Sequence, residues 1–284
     1  MTERIIETTG IALCTEAFGD PADPPVLLIS GIGASMLWWD EAFCGLLVGS
    51  GRFVVRYDHR DTGRSTTDEP GHPRYHGGDL VTDAVAVLDA YGLAGAHLVG
   101  VSAGGAFAQL IAADFRDRVR SLVVISTTPA TPGDRGLPSP TPEFVRFVAT
   151  ATVDWSDPQS VVEHLVAYSR VLNGGDRRFD EGYWRDLARR DVARANDVAA
   201  LQNHDAIADD GAPHEPLTSI DVPTLVIHGT ADPMFPLAHG EALATEIPGA
   251  ALLVLDGAGH GVFPADWETI AGAIVDHTRS RPTR

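Results

Sequence analysis

Short runs of consecutive apolar residues recur along the chain, and longer segments with apolar residues at helical spacing separate them. A continuous apolar run of about six residues is typical of a strand covered on both faces in a parallel sheet. Such runs occupy residues 25–30, 53–58, 97–102, 121–126, 224–229 and 251–256. Between them lie segments such as 79–92, where Val81, Val85 and Leu88 share a helical face and Gly92 marks the expected carboxyl end. Strands that alternate with helices predict βαβ units with right-handed crossovers.

The pattern changes at two places. Two β-like runs about Gly10 predict a hairpin before the first buried strand. The gap between residues 126 and 224 is too long for one crossover and carries three helical patterns, at 142–153, 158–173 and 181–201. We therefore predict a core made of residues 1–129 and 216–284, with residues 130–215 inserted after the sixth strand as a helical cap over one end of the sheet.

Composition narrows the possible partners. A chain of 284 residues with 44% hydrophobic content suits one globular domain with an insertion. The formal charge of −18 would repel nucleic acid and anionic membrane surfaces. No stretch approaches the roughly 18 apolar residues of a membrane span, and Cys14 and Cys44 are too few for a disulfide framework or a metal site. We expect a cytoplasmic protein that binds neither nucleic acid nor membrane.

One serine stands in a frame of small residues, Gly100-Val101-Ser102-Ala103-Gly104, directly after an apolar run and directly before a helical segment. A G-x-S-x-G sequence at such a junction forms a sharp turn that exposes the serine hydroxyl at the carboxyl edge of the sheet. A side chain in place of either glycine would collide with the neighbouring strand or helix. Ser102 is therefore predicted to be a nucleophile.

A serine hydroxyl needs a histidine base and a carboxylate that orients the histidine. His260 follows the last apolar run in "GAGH", and Asp232 follows the preceding one in "TADP". The chain order Ser, Asp, His is the order known for G-x-S-x-G hydrolases. The segment after residues 121–126 offers no carboxylate, which favours Asp232 as the orienting acid. The other histidines in strand or helix patterns are expected to be packed or solvated: His97, His164, His228 and His277.

Acyl transfer also needs amide donors that face the developing oxyanion. The first expected donor is the amide of Ala103, at the amino end of the helix after Ser102. The second is expected from the loop "SGIGAS", where Gly31 and Gly33 let a backbone N–H approach the site. Within that loop the predicted donor is Ile32.

These motifs resemble a known family. "GVSAGG", "TADP" and "GAGH", in that order and with a helical insertion between the first two, resemble the serine α/β-hydrolase fold over essentially the whole chain. The segment "RYDHRDTGRST" is similar to the D-x-R-G-x-G-x-S block after the fourth strand of that superfamily. With "FGDPADP" and "DAVAVLDAYG", it most resembles the aclacinomycin methylesterase group, which removes the carbomethoxy methyl group from anthracycline-type polyketides.

The resemblance implies a mostly parallel sheet with helices on both faces, a triad of Ser102, Asp232 and His260, and no cofactor or metal. One departure is that many relatives carry His-Gly in the oxyanion loop, where this chain has Ser30-Gly31. Backbone donation survives that change, whereas support from the histidine is lost. The charged residues of "DHRDTGRS" are expected to brace loops through local hydrogen bonds.

The substrate pocket is expected beneath the cap. Its candidate lining residues, besides the two loop glycines, are aromatic or apolar: Trp38, Trp39, Phe144, Phe147, Tyr168, Tyr183, Trp184, Met234, Phe235 and Val262. About a third of those in the insertion are expected to touch ligand. Apolar walls favour a hydrophobic ester or lactone, and the acidic protein would repel anionic substrates.

The predicted activity is hydrolysis of a carboxylic ester, in particular a methyl ester of a hydrophobic polycyclic molecule, through an acyl-enzyme on Ser102. One alternative is a lactonase, carbon–carbon bond hydrolase or perhydrolase of the same fold. Another is a small-molecule binding protein without catalysis. Haloalkane and epoxide hydrolases are disfavoured because their nucleophile is a carboxylate.

Overall fold

An eight-stranded sheet runs through the centre of the computed structural model, which describes residues 2–279 except 9, 176, 209, 210 and 212. The strands are β1 (Arg4–Thr8), β2 (Ile11–Phe18), β3 (Pro25–Ile29), β4 (Phe53–Tyr57), β5 (Ala96–Val101), β6 (Val119–Ile125), β7 (Thr224–Gly229) and β8 (Ala251–Leu255). Their spatial order is β1-β2-β4-β3-β5-β6-β7-β8. The hairpin of β1 and β2 pairs antiparallel with β4, and the strands from β4 to β8 in this order are parallel.

Eight α-helices accompany the sheet within the described residues. They are α1 (Glu41–Val48), α2 (Gly77–Ala90), α3 (Ala103–Asp114), α4 (Pro142–Thr150), α5 (Pro158–Leu172), α6 (Glu181–Arg194), α7 (Ala238–Glu246) and α8 (Trp267–His277). The predicted α/β-hydrolase fold, with its mostly parallel sheet and a helical segment after the sixth strand, is confirmed.

Each central strand is buried on both faces, which explains the continuous apolar runs. In β3, Leu27 and Ile29 belong to a core that includes residues of α2 and α3. Val26 and Leu28 point to the opposite face, into a core that includes residues of α1 and α8. Alternate side chains of one strand therefore pack into two separate cores, one on each face of the sheet. The packed sheet gives the loops at its carboxyl edge a rigid base.

The segment between β6 and β7 carries α4, α5 and α6, and α5 packs on α6 through Val161, Leu165 and Ala188. The helix predicted over 181–201 is wrong in its last third, because α6 ends at Arg194. Asn196 leaves the helix to donate its backbone N–H to the carbonyl of Gly63, at 2.8 Å. A 3-10 helix then spans Val198–Ala206. The division of the chain at residues 129/130 and 215/216 stays a prediction.

We find no helix among the residues described by the structure that has the length and apolar character to cross a membrane.

Candidate active site

Ser102 lies between β5 and α3 in a strained backbone conformation, with φ 54° and ψ −124°. Left-handed backbone is uncommon for a residue with a side chain and costs about 1–3 kcal/mol. The glycine frame makes the turn possible: a Cβ at Gly100 would overlap the carbonyl of Gly104, and one at Gly104 would overlap the carbonyl of Ile29. The turn leaves Ser102 partly exposed in the wall of a cavity.

Asp232 follows β7, and His260 follows β8 in the next parallel strand. His260 Nδ1 lies 2.9 Å from Oδ2 and 3.1 Å from Oδ1 of Asp232. Oδ1 also accepts the backbone N–H groups of Met234 and Phe235, at 2.9 and 2.8 Å. The aspartate is thus fixed by its own loop and can hold the imidazole with its proton on Nδ1.

The loop of His260 is anchored by the end of α5. The backbone N–H of His260 donates to the carbonyl of Leu172 at 2.8 Å, and Gly259 passes so close to Leu172 that a Cβ would overlap its carbonyl oxygen. His260 Nε2 is buried and has no hydrogen-bond partner in the described part of the chain. Since Ser102 and His260 line the same cavity, this nitrogen is the group available to accept the serine proton.

The predicted oxyanion loop lies against the serine. A Cβ on Gly31 would be 3.2 Å from the Cβ of Ser102 and 3.7 Å from its Oγ, so the loop backbone and the hydroxyl are neighbours. Ile32 is 44% exposed and lines the cavity with Gly31. Ala103 is the first residue of α3, where backbone N–H groups lack intrahelical partners.

A cavity of about 360 Å³ covers these groups. Nine of the twelve predicted lining residues line it: Gly31, Gly33, Trp38, Trp39, Phe147, Tyr168, Trp184, Met234 and Val262. Sequence reasoning missed several others: Trp155, His164, Leu172, Leu201, Asp205 and Phe263. Of the five candidates in the insertion, three line the cavity: Phe147, Tyr168 and Trp184.

Three predicted lining residues lie elsewhere. Phe144 is buried against Tyr168, with ring centroids 6.2 Å apart. Tyr183 reaches from α6 to the segment before α1, where its hydroxyl donates to Asp40 at 3.1 Å. Phe235 packs its ring on His260, with a centroid distance of 5.5 Å. Their placement depends on how the helices and loops pack, which residue type alone does not indicate.

The cavity wall carries little charge. Among the described lining residues, Asp205 has the one carboxylate and none has a guanidinium. His164 stacks on Tyr168 with an interplanar angle of 11°, and burial lowers its pKa. Burial raises the pKa of Tyr168 to about 12. These two groups are therefore neutral near pH 7, and the cavity favours an apolar or cationic ligand over an anion.

Behind the wall, Trp38 donates its indole N–H to the buried carboxylate of Asp191, at 2.8 Å. This pair fixes the tryptophan beside the oxyanion loop. Near Asp232, His228 is fully buried and donates Nε2–H to the carbonyl of Phe235, at 2.7 Å. His228 therefore supports the Asp232 loop, a role that its position inside a strand pattern did not indicate.

The aspartates of the "DHRDTGRS" segment make hydrogen bonds and an ion pair that connect it to neighbouring segments. Asp58 is buried, accepts the N–H of Met36 at 2.9 Å and forms an ion pair with Arg194 at 2.7 Å. Asp61 accepts from Tyr75 Oη at 2.7 Å and from Asn203 Nδ2 at 2.9 Å. Neither aspartate is among the described residues that line the cavity.

A serine at a strained strand-to-helix turn, followed by an acid and a histidine after the last two strands, is typical of a serine hydrolase site on an α/β sheet. The model of the alpha/beta hydrolase fold family matches residues 24–265, and the chain belongs to this family. The chain is 35% identical to rhodomycin D methylesterase DauP of Streptomyces sp. (strain C5) and 34% identical to DnrP of Streptomyces peucetius, with 99% of each chain covered. It is thus a carboxylic ester hydrolase of the anthracycline methylesterase group.

Solved structures share the fold. An esterase, RhEst1, from Rhodococcus sp. ECU1013 superposes with a TM-score of 0.74 at 24% identity, covering 97% of this chain and 99% of that one.

Proposed function

We propose that the protein hydrolyses the methyl ester of a hydrophobic polycyclic small molecule through an acyl-enzyme on Ser102. His260 Nε2 takes the proton of Ser102 as Oγ attacks the ester carbonyl. The amides of Ala103 and Ile32 stabilise the tetrahedral oxyanion. Collapse breaks the bond to the alkoxy oxygen, which leaves as methanol with the proton from His260.

A water molecule then completes the cycle. His260 takes a proton from the water, the hydroxide attacks the acyl carbonyl, and the second tetrahedral intermediate releases the acid. Ser102 Oγ recovers its proton from His260. Asp232 stays ionised throughout and stabilises the imidazolium that forms in each half-reaction.

The observation that carries this proposal is the buried Nε2 of His260, without a partner among the described residues, in a cavity shared with Ser102, while Nδ1 is held by Asp232. A binding protein would not need an imidazole polarised in this way. The triad therefore favours catalysis over the alternative of a small-molecule binding protein.

The substrate class is supported by the walls and by the relatives. Trp38, Trp155, Phe147, Tyr168 and Trp184 surround the cavity and offer flat apolar surfaces to fused rings. The relatives DauP and DnrP are named for rhodomycin D, and their similarity extends over the whole chain, including the cap. A lactone or a carbon–carbon bond would meet the same triad, so the leaving group has to be tested directly.

The experiment compares kcat/KM for four substrates: a polycyclic aromatic methyl ester, an aliphatic methyl ester, a lactone of similar size and a p-nitrophenyl ester. Wild-type protein is measured beside Ser102→Ala and Ser169→Ala. Ser169 is a matched control because it lines the same cavity, yet its hydroxyl donates to the carbonyl of Leu165 at 2.8 Å.

We expect the polycyclic methyl ester to have the highest kcat/KM, Ser102→Ala to be inactive and Ser169→Ala to stay active. A lactone preferred over each methyl ester would replace the proposed substrate class. Full activity of Ser102→Ala would reject the nucleophile.

A further inference from the structure

Two histidines from distant parts of the chain bind the backbone of the oxyanion loop. His59, which follows β4, donates Nε2–H to the carbonyl of Ser30 at 3.0 Å. His204, in the 3-10 helix Val198–Ala206 before β7, accepts the backbone N–H of Gly33 on Nδ1 at 2.8 Å. Both rings are buried, and their centroids are 6.2 Å apart.

The two contacts enclose the amide that matters for the proposed chemistry. His59 fixes the Ser30–Gly31 peptide, and His204 fixes the Ile32–Gly33 peptide. The peptide between them carries the Ile32 N–H. Because a trans peptide is planar, its N–H points opposite to the Gly31 carbonyl, and that carbonyl accepts the N–H of Ala34 at 3.3 Å within the loop. The orientation of this peptide is therefore set by its neighbours, and its N–H can turn toward the cavity.

The Gly33 contact also decides which amide is available. The N–H of Gly33 points at His204, so it cannot serve the oxyanion. Gly33 adopts φ +69°, a left-handed conformation that suits glycine. The hydrogen bond of the Gly33 N–H to His204 therefore restrains the backbone conformation of the oxyanion loop.

His204 can hold only one proton arrangement in this setting. Nδ1 accepts from Gly33, so the ring proton is on Nε2, which donates to the carbonyl of Arg60 at 2.8 Å. Burial lowers the pKa of His204, and burial lowers the pKa of His59 to about 4. Both rings are neutral near pH 7, as an accepting Nδ1 requires.

The segment that presents His204 is itself anchored. Its neighbour Asn203 is fully buried, donates Nδ2–H to Asp61 at 2.9 Å and accepts the N–H of Gly71 at 2.6 Å. In contrast, Ser30, the residue next to Gly31 in the loop, turns its hydroxyl to the carbonyl of Ser35 at 3.3 Å, within the same segment. The two histidines thus bring support to this loop from outside it.

We propose that His59 and His204 are positioning residues that together hold the Ile32 amide toward the oxyanion, and that the insertion between β6 and β7 thereby completes the catalytic centre through His204. This inference rests on the proposed function, because it gives the Ile32 amide its role. The insertion would then contribute to kcat through His204, in addition to lining the substrate cavity.

Three substitutions at His204 separate this role from a merely structural one. The Oδ1 atom of an asparagine lies near the position of Nδ1, so His204→Asn keeps an acceptor for Gly33. The longer glutamine amide reaches the position of Nε2, so His204→Gln keeps a donor for Arg60 and loses the Gly33 contact. His204→Phe fills the volume with neither bond. His97 is the control, because it is a buried histidine that pairs with Ser121 at the far end of β5.

Steady-state kinetics on the best methyl ester should give a loss of kcat for His204→Phe of roughly 10- to 100-fold, since one oxyanion donor is worth about 10²–10³. KM should change by less than about threefold, because a group that acts on the transition state alone leaves substrate binding intact. His204→Asn should recover most of kcat and His204→Gln should not. His97→Phe should leave kcat unchanged.

An aryl trifluoromethyl ketone supplies a second readout. It forms a hemiketal with the serine, and its oxyanion occupies the same hole. Its Ki should rise across the three variants in proportion to the fall in kcat/KM, whereas the Kd of the carboxylic acid product should stay constant.

The outcomes separate the two proposals. If Ser102→Ala is inactive and His204→Phe retains wild-type kcat, the positioning role is wrong and the esterase proposal stands. If Asn, Gln and Phe at position 204 lower kcat equally, or raise KM alone, the role is structural and the inference is overturned. If His204→Phe fails to fold, the comparison of Asn with Gln still decides, because the two variants differ in which contact they keep.

Discussion

Replacing Asp232 by asparagine tests the proposed role of Asp232 in orienting His260, because the substitution exchanges one carboxylate oxygen for an NH₂ group. Oδ1 of Asp232 accepts two backbone N–H groups, from Met234 and Phe235, at 2.9 and 2.8 Å. In Asp232→Asn the amide oxygen of the new side chain would keep that place, since an NH₂ group there would face two donors. The NH₂ group must then take the position of Oδ2, which is 2.9 Å from Nδ1 of His260.

Two donors cannot share that contact, so the imidazole proton has to move from Nδ1 to Nε2. A protonated Nε2 cannot accept the proton of Ser102, and the imidazolium loses its counter-charge. We expect kcat to fall by about 10³–10⁴, or about 4–5 kcal/mol of transition-state stabilisation. The fold should be retained, because both backbone hydrogen bonds persist.

The assay is kcat on a p-nitrophenyl ester, with the melting temperature from circular dichroism measured on the same preparations. Asp256→Asn is the matched control, because Asp256 follows β8 and is exposed. Among the described contacts, its carboxylate accepts one hydrogen bond, from the Thr230 hydroxyl at 3.3 Å. A kcat for Asp232→Asn within tenfold of wild type, at an unchanged melting temperature, would show that Asp232 does not set the tautomer of His260.

Three further predictions concern the turn at Ser102, the buried His97 and the support of Trp38. Gly104→Ala should destabilise the fold by about 3 kcal/mol, because its Cβ meets backbone that cannot move aside. Gly272→Ala, in α8 with open space around it, should instead stabilise the fold by about 0.5–1 kcal/mol. Chemical denaturation that ranks the two variants in the reverse order would contradict this. Burial lowers the pKa of His97 from 6.5 to about 4, so its contribution to stability is complete above pH 6.5 and is lost as the pH falls toward 4. Between pH 7 and pH 4.5 the free energy of unfolding of the wild type should therefore fall by about 2–3 kcal/mol more than that of His97→Gln. Equal pH profiles for the two proteins would disprove this. Trp38→Phe removes the donor to buried Asp191 and should lower stability by about 1–3 kcal/mol and raise KM for aromatic esters; an unchanged melting temperature would show that the pair is dispensable.

Ser102, Asp232 and His260 could be predicted to share one edge of the sheet, because Ser102 ends an apolar run and the other two stand in the loops after such runs. The carboxyl ends of parallel strands meet at one edge of a sheet, so Ser102, Asp232 and His260 had to lie near one another once the strands were recognised. The glycines at 100 and 104 added a steric reason for the turn, which the overlaps at their Cβ positions explain.

The pocket could be predicted only in part, because residue type does not fix which turn of a helix in the insertion reaches the cavity. Phe144 and Phe147 lie one turn apart on α4, yet only Phe147 lines the cavity. No sequence pattern indicated that His204 would contact the oxyanion loop. Its place depends on the break after Arg194, where Asn196 exchanges a helical hydrogen bond for one to Gly63, and such long-range competition is not visible in a local pattern.

Ser102 is proposed to carry the acyl group during turnover, and intact-protein mass spectrometry after rapid acid quench detects such an intermediate. With a p-nitrophenyl ester in excess, we expect a transient adduct with the mass of the acyl group, located by peptide mapping to Ser102 and absent from Ser102→Ala. Continued turnover of wild-type protein without any such adduct, or an adduct on another residue, would contradict it.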